Sequence, residues 1–162
     1  MSASRKRSIS TFLLDPGYWQ SRLTRMEEVQ RGLVLIARPD LSSPLCDVVE
    51  WRLRAHDGTR IWGLRGTSPF HSATKGAAIR EVASCDLPVV DTFQVAAGLV
   101  DFVFQVPAGR RLEDRVLDLV RVYQVALHGG LDPNDIRLVP SAEEGCPDEF
   151  LIAGGLLQRG LV

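Results

Sequence analysis

The sequence predicts an α/β domain: a three-layer, mixed and partly parallel sheet with helices on both faces, opened by an N-terminal amphipathic helix and a β-hairpin. Three observations lead there. Apolar residues alternate at period two on either side of an Asp-Gly within residues 48–66. They recur at helical spacing from Leu112 to His128. Strand-like and helix-like segments then take turns along the second half, with connections long enough to join parallel strands.

Residues 1–9 read as a basic mobile tail, and 10–162 as a single domain. Asp15-Pro16 is a helix start, with Asp at the N-cap and Pro at the first helical position. Trp19, Leu23, Met26, Val29 and Leu33 then fall on one side, with Glu27, Glu28, Arg22, Arg25 and Arg31 on the other. The run Leu33–Ile36 is either a strand or the end of that helix, since periodicity alone does not separate the two. Pro39 to Pro44 is a loop.

In the hairpin, Val49, Trp51 and Leu53 alternate with Glu50, Arg52 and Arg54. His56-Asp57-Gly58 supplies the turn, and Arg60 to Leu64 returns. The buried face takes Trp51. The other shows Arg52, Arg54 and either Arg60 or Arg65, a set that reads as a charged edge blunting aggregation, with phosphate binding as the alternative. Thr67–Gly76 is a polar loop, and Ala77–Val82 a short strand. Within Pro88–Gly98 a helix is expected, capped by Asp91 and stopped by Gly98. Leu99–Val106 is apolar on both faces, as a central strand is. Helix Leu112–His128 presents Leu112, Val116, Leu119, Val120, Tyr123 and Leu127, and Gly129-Gly130 stops it. Strand Ile136–Val139 and a last helix, Asp148–Arg159, follow. Gly154-Gly155 inside that helix suggests close packing against a neighbour.

Composition narrows the function. Apolar residues make up 45% of the 162, enough for a real core. A net charge of -1 makes nucleic acid an improbable partner on global electrostatics. No apolar run nears the roughly 20 residues of a membrane span. The three cysteines, Cys46, Cys85 and Cys146, are far apart and form no C-x-x-C, so a soluble protein of the reducing cytoplasm is expected. Neither a P-loop nor a strand-linked G-x-G-x-x-G occurs, and no cofactor is expected. His71 has no second ligand at metal spacing, so no metal site is expected. His56-Asp57 reads as turn chemistry before it reads as an acid/base pair. Glu143, Glu144, Asp148 and Glu149 form an acidic cluster that could bind a cation, with a helix-start bias the simpler reading of Asp148 and Glu149. Cys146, between Gly145 and Pro147 near a helix start, is the best nucleophile candidate beside Ser141.

Three stretches carry a resemblance. Val48-Val-Glu-Trp-Arg-Leu-Arg-Ala-His-Asp-Gly-Thr-Arg-Ile-Trp-Gly-Leu64, Asp101-Phe-Val-Phe-Gln-Val-Pro-Ala-Gly-Arg110 and Arg115 to Leu138 follow one another as in the N-terminal half of α/β-hydrolases. The order is similar especially to that of the acetylxylan-esterase and dienelactone-hydrolase-like branches, over residues 47–160. That resemblance implies a nucleophile elbow after Val139. The elbow needs G-x-S-x-G, and here Val139 and Glu143 stand where its glycines belong, around Ser141. Glu143 and Glu144 would oppose an oxyanion, and no His-Gly-Gly loop is present. His56, His71 and His128 all precede Ser141, and the sequence stops before a triad acid and histidine would arrive. The resemblance therefore implies a non-hydrolytic relative, or a subunit completed by another chain.

Two functions follow, with nucleic-acid binding through Arg5–Arg7 and the arginine-rich hairpin face as a third reading that runs against the neutral total charge. One is a non-catalytic interaction or scaffold protein, a homo-oligomer or the binder of a partner protein. Its contact would be the open edge at Ile136–Val139 with Phe150, Leu156 and Leu157. The other is a small hydrolase or transferase with a degenerate site at the strand carboxyl ends. There Arg110 and Arg111 would hold an anionic group, and Ser141 or Cys146 would act as nucleophile.

Overall fold

A computed structural model describes residues 15–69, 76–82, 85, 87–93, 95, 98–105, 109–128, 131–139 and 148–158. The order is α1 (Pro16–Glu27), β1 (Val34–Ala37), β2 (Asp47–Arg54), β3 (Arg60–Thr67), β4 (Gly76–Val82), α2 (Leu87–Val90), β5 (Leu99–Gln105), α3 (Leu112–His128), a 3-10 turn (Pro133–Asp135), β6 (Ile136–Val139) and α4 (Asp148–Gln158). The six strands make one sheet in the order β1-β2-β3-β5-β4-β6. β1, β2, β3 and β5 pair antiparallel in turn, while β4 runs parallel to both β5 and β6.

Both long crossovers thus join parallel strands of one sheet, as their lengths predict. The second passes over β4 to place β6 outside it, which puts α2 and α3 on opposite faces. On one face Trp51, Leu53, Ile61, Ile79, Phe102, Phe104 and Ile136 pack under α1, α3 and α4. On the other, Val48, Leu64 and Val103 pack under Val89, Val90, Phe93 and Val95. The layers are three, as the sequence predicts.

Local rules explain most boundaries. Asp15 caps α1, its Oδ1 accepting the Gly17 N–H at 3.0 Å. The hairpin turn is a tight one, with Gly58 N–H donating to the Ala55 carbonyl at 3.0 Å and Gly58 itself at φ 83°. Gly63 sits directly beneath the Trp51 ring and against the Val103 carbonyl, so a side chain there has no room.

Two open alternatives are settled and two expectations need revision. The Leu33–Ile36 alternative resolves to a strand, because α1 ends at Glu27 and Val34–Ala37 pairs with β2. The helix expected to start at Asp91 instead ends at Val90. Thr92 and Phe93 are held by the sheet: Arg80 Nη2 donates to Thr92 Oγ1 at 2.9 Å, and the Phe93 ring fills the space over Gly66. Arg60, not Arg65, shares a face with Arg52 and Arg54, since Arg65 pairs with Val49 and Phe102 on the opposite side. Gly154 and Gly155 mark no close contact, for a Cβ at either meets no described heavy atom within 4 Å. No helix among the described residues is long and apolar enough to cross a membrane.

The charged residues that most exceed expectation are inside. Arg121, fully buried in α3, donates through Nη2 to the Met26 carbonyl and to the Val29 carbonyl at 2.8 Å, closing the C-terminal end of α1. Burial pushes its guanidinium pKa below the ordinary value.

Candidate functional site

In an open α/β sheet, a crevice forms where neighbouring parallel strands send their connections to opposite faces. Here that happens at the carboxyl ends of β4, whose connection leads to α2, and of its neighbours β5 and β6, which lead to α3 and α4. The hairpin turn lies at the same end of the sheet, because Gln105, the last residue of β5, pairs with Trp62 near the start of β3.

Two ion-paired clusters occupy this end. Beside β4, Arg115 of the first turn of α3 lies 2.6 Å from Glu149 Oε1 and 3.8 Å from Glu81 Oε2. Glu149 is buried in the first turn of α4, where the helix dipole also favours a carboxylate. Nearer the hairpin, Arg110 joins three elements. Its Nε and Nη2 donate to Asp118, and its Nη1 donates to Asp57 Oδ2 at 2.6 Å and to Thr59 Oγ1 at 3.2 Å. Burial raises the Asp57 carboxyl, but Arg110 and the Thr59 N–H and hydroxyl outweigh it and hold it well below the usual carboxylate range. Asp118 is deeper, and burial pushes its carboxyl up against the pull of Arg110. His56 Nε2 lies 2.8 Å from Asp114 Oδ1 in the first turn of α3.

His56, Asp57 and Asp114 bring donor atoms within 4.8 Å of one another. A cation there would have to displace Arg110 from Asp57 and separate His56 from Asp114. Next to this cluster a cleft of about 230 Å³ opens between α1 and α3, lined by Arg22, Arg25, His56, Arg111, Glu113 and Asp114. Arg22 is engaged by Glu113 at 3.2 Å and lies over the Tyr18 ring.

The structure distributes the candidate residues unevenly. Arg110 is at the site, its charge committed to two carboxylates of the chain. Arg111 is at the rim of the cleft and its side chain is 84% exposed, with Asp114 3.9 Å away. His56 pairs with Asp114 and not with its neighbour Asp57. Ser141 and Cys146 lie outside the described residues, as do His71, the basic tail, Gly129-Gly130, Glu143 and Glu144. Of the proposed interface residues, Phe150 and Leu156 are packed in the chain's own core, and Leu157 is half-buried against it. Glu81, Arg115 and Asp118 escape a reading of the sequence. Asp118 and Arg121 do interrupt the apolar run from Val116 to Tyr123, but that break does not say which partners they meet.

These features define an open α/β scaffold. No protein-family model matches the chain. No curated protein matches it either. Solved structures do. It is similar to acetyl xylan esterase 1 from Thermoanaerobacterium sp. JW/SL YS485, with a TM-score of 0.69 at 14% identity, over 90% of this chain and 55% of that one. It is similar also to an acetyl xylan esterase from Paenibacillus sp. R4, with a TM-score of 0.66 at 14% identity, over 86% of this chain and 54% of that one. The chain thus spans about half the length of these esterases, the partial likeness that the sequence resemblance implies. At this identity the likeness is one of fold.

Proposed function

We propose that this chain is a non-catalytic, hydrolase-fold interaction protein that self-associates through an open sheet edge. One observation carries the reading. At the β1 edge Leu33, Val34 and Leu35 are 39%, 50% and 52% exposed, in a strand paired on one side only among the described residues. Exposed apolar edge strands are templates for pairing with another chain. Antiparallel pairing of β1 with β1 of a second copy is isologous and closes, so it yields a dimer and not a fibre. The reading favours this edge over β6 and the C-terminal helix, whose Phe150 and Leu156 are used within the chain. Neutralisation at the strand carboxyl ends supports the non-catalytic part. Arg110 and Arg115 are both spent on carboxylates of the chain and are poorly placed to stabilise an oxyanion. Light scattering over a range of concentrations tests it. A dimer that Leu35→Lys converts to a folded monomer is expected; a wild-type monomer throughout, or a dimer indifferent to that change, refutes it.

A second reading, a degenerate hydrolase, is favoured by one thing: the His56–Asp114 pair lies at the strand carboxyl ends, where such a site is built. It requires turnover of an activated acetyl ester such as 4-nitrophenyl acetate, lost when Ser141 and Cys146 are both changed to Ala.

A further inference from the structure

Among the described residues the second sheet face is covered at one end only. Val48, Leu64 and Gly66 lie under Phe93, Val95 and α2. Towards the hairpin the same face carries Arg52, Arg54, Arg60 and Trp62. Register fixes their arrangement: Arg54 stands opposite Arg60, and Arg52 opposite Trp62. The Arg54 N–H points away from β3, to the Arg31 carbonyl at 2.6 Å, so Arg54 and Arg60 form a non-hydrogen-bonded pair. In such pairs the side chains stand closest, and like charges directly opposite destabilise the sheet.

Of these charges only that of Arg52 meets a carboxylate among the described residues. Among the described residues no carboxylate lies within ion-pair distance of Arg54 or Arg60. The nearby Glu50 is shared by Arg38, at 2.6 Å, and Arg52. Two clefts flank the cluster. One, of about 220 Å³, is lined by Gly32, Val34, Arg52, Arg54 and Arg60. The other, of about 300 Å³, is lined by Glu50, Arg52, Arg60 and Trp62. Gly32 has no side chain to block the first, where it faces the Arg54 stem.

Guanidinium groups beside a half-buried indole on an open sheet face make up the two halves of one chemistry. Arginines take phosphates, and an aromatic ring stacks on a base; open sheets that bind single strands combine both. We propose that this face binds a short stretch of single-stranded nucleic acid, with Arg54 and Arg60 on backbone phosphate and Trp62 stacked on a base. The net charge of -1 concerns the whole molecule, whereas contact is made by this local patch. The proposal does not rest on self-association, although Val34 borders both the first cleft and the β1 edge.

The test is fluorescence anisotropy of the full chain with labelled ten-residue oligo(dT) and oligo(U), between 20 and about 200 mM salt. With about two phosphates engaged, log K falls against log salt with a slope near -1.4, at about 0.7 per phosphate for single strands. Arg54→Gln with Arg60→Gln abolishes most of that slope and weakens binding about tenfold or more. Trp62→Ala weakens it about tenfold by loss of one stacked base. Both variants alter exposed or half-buried side chains, and circular dichroism confirms their fold. Absence of binding at low salt overturns the proposal, as does binding indifferent to the double arginine change. Inorganic tripolyphosphate binding as tightly as the oligonucleotide, with Trp62→Ala silent, also overturns it, leaving a polyanion patch without base recognition.

Discussion

Arg110 and Asp118 meet side by side: Nε and Nη2 of the guanidinium donate to the two carboxylate oxygens at 3.1 and 2.7 Å, with the side chains 6% and 2% exposed. Two parallel bonds fix the loop after β5 onto α3, and Asp57 adds the hairpin turn through the same guanidinium. Removing one partner strands a buried charge. Asp118→Ala is therefore expected to lower stability by about 3–5 kcal/mol in urea titration. Arg110→Met with Asp118→Leu should recover much of that, since no buried charge is left unpaired and Asp57, which also loses Arg110, is 39% exposed to water. Equal loss in the single and double variants would show that the pair does not act as a unit.

The same guanidinium sets an acid limb. Asp57 has a depressed pKa in the folded chain, so its contribution is present above the ordinary aspartate range near 4 and is lost as pH falls below it. Wild-type stability should decline from pH 5 to pH 2.5 more steeply than that of Asp57→Asn, because the variant has nothing there to protonate. Parallel declines for the two proteins would remove Asp57 from the acid response.

Arg121→Met keeps most of the volume and deletes the donors to Met26 and Val29. Two carbonyls at the end of α1 lose a buried partner, at about 1–3 kcal/mol each. The apolar side chain offsets part of this by ending the burial of a charge. A net loss of about 2 kcal/mol is expected, with faster amide exchange confined to α1. Unchanged exchange in α1 would mean that water replaces the arginine.

Gly63→Ala places a methyl into the Trp51 ring and the Val103 carbonyl. Backbone cannot yield as a side-chain tip can, so the loss should reach about 3 kcal/mol or more. Trp51→Leu in the same chain relieves only the ring half of the clash. Wild-type thermal stability in Gly63→Ala would contradict the close approach.

Much of the architecture was legible in residue order. The Asp15-Pro16 start, the alternation around Trp51, the doubly apolar β5 and the stripe from Val116 to Tyr123 are all local signals, and each element lies where its signal stands. Phe93 shows where locality ends: Asp91 is a good cap on paper, yet Gly66 makes room for the Phe93 ring and the helix stops before it. The candidate site was half visible. Arg110 sits in a loop at a strand's carboxyl end, which sequence order predicts. That Asp57 and Asp118 would consume its charge depends on contacts 53 and 8 residues away, and nothing in the pattern of either neighbourhood marks them.

Arg121 closes the end of α1 from 95 residues further along the chain. On the ribosome, synthesis at about 5–20 residues per second separates the two by roughly 5–20 seconds. During that interval Trp19, Leu23 and Met26 have no α3 to bury them. The emerging chain therefore carries these three apolar side chains uncovered until α3 arrives, and at 12 residues the segment is too short to hold a helix firmly on its own.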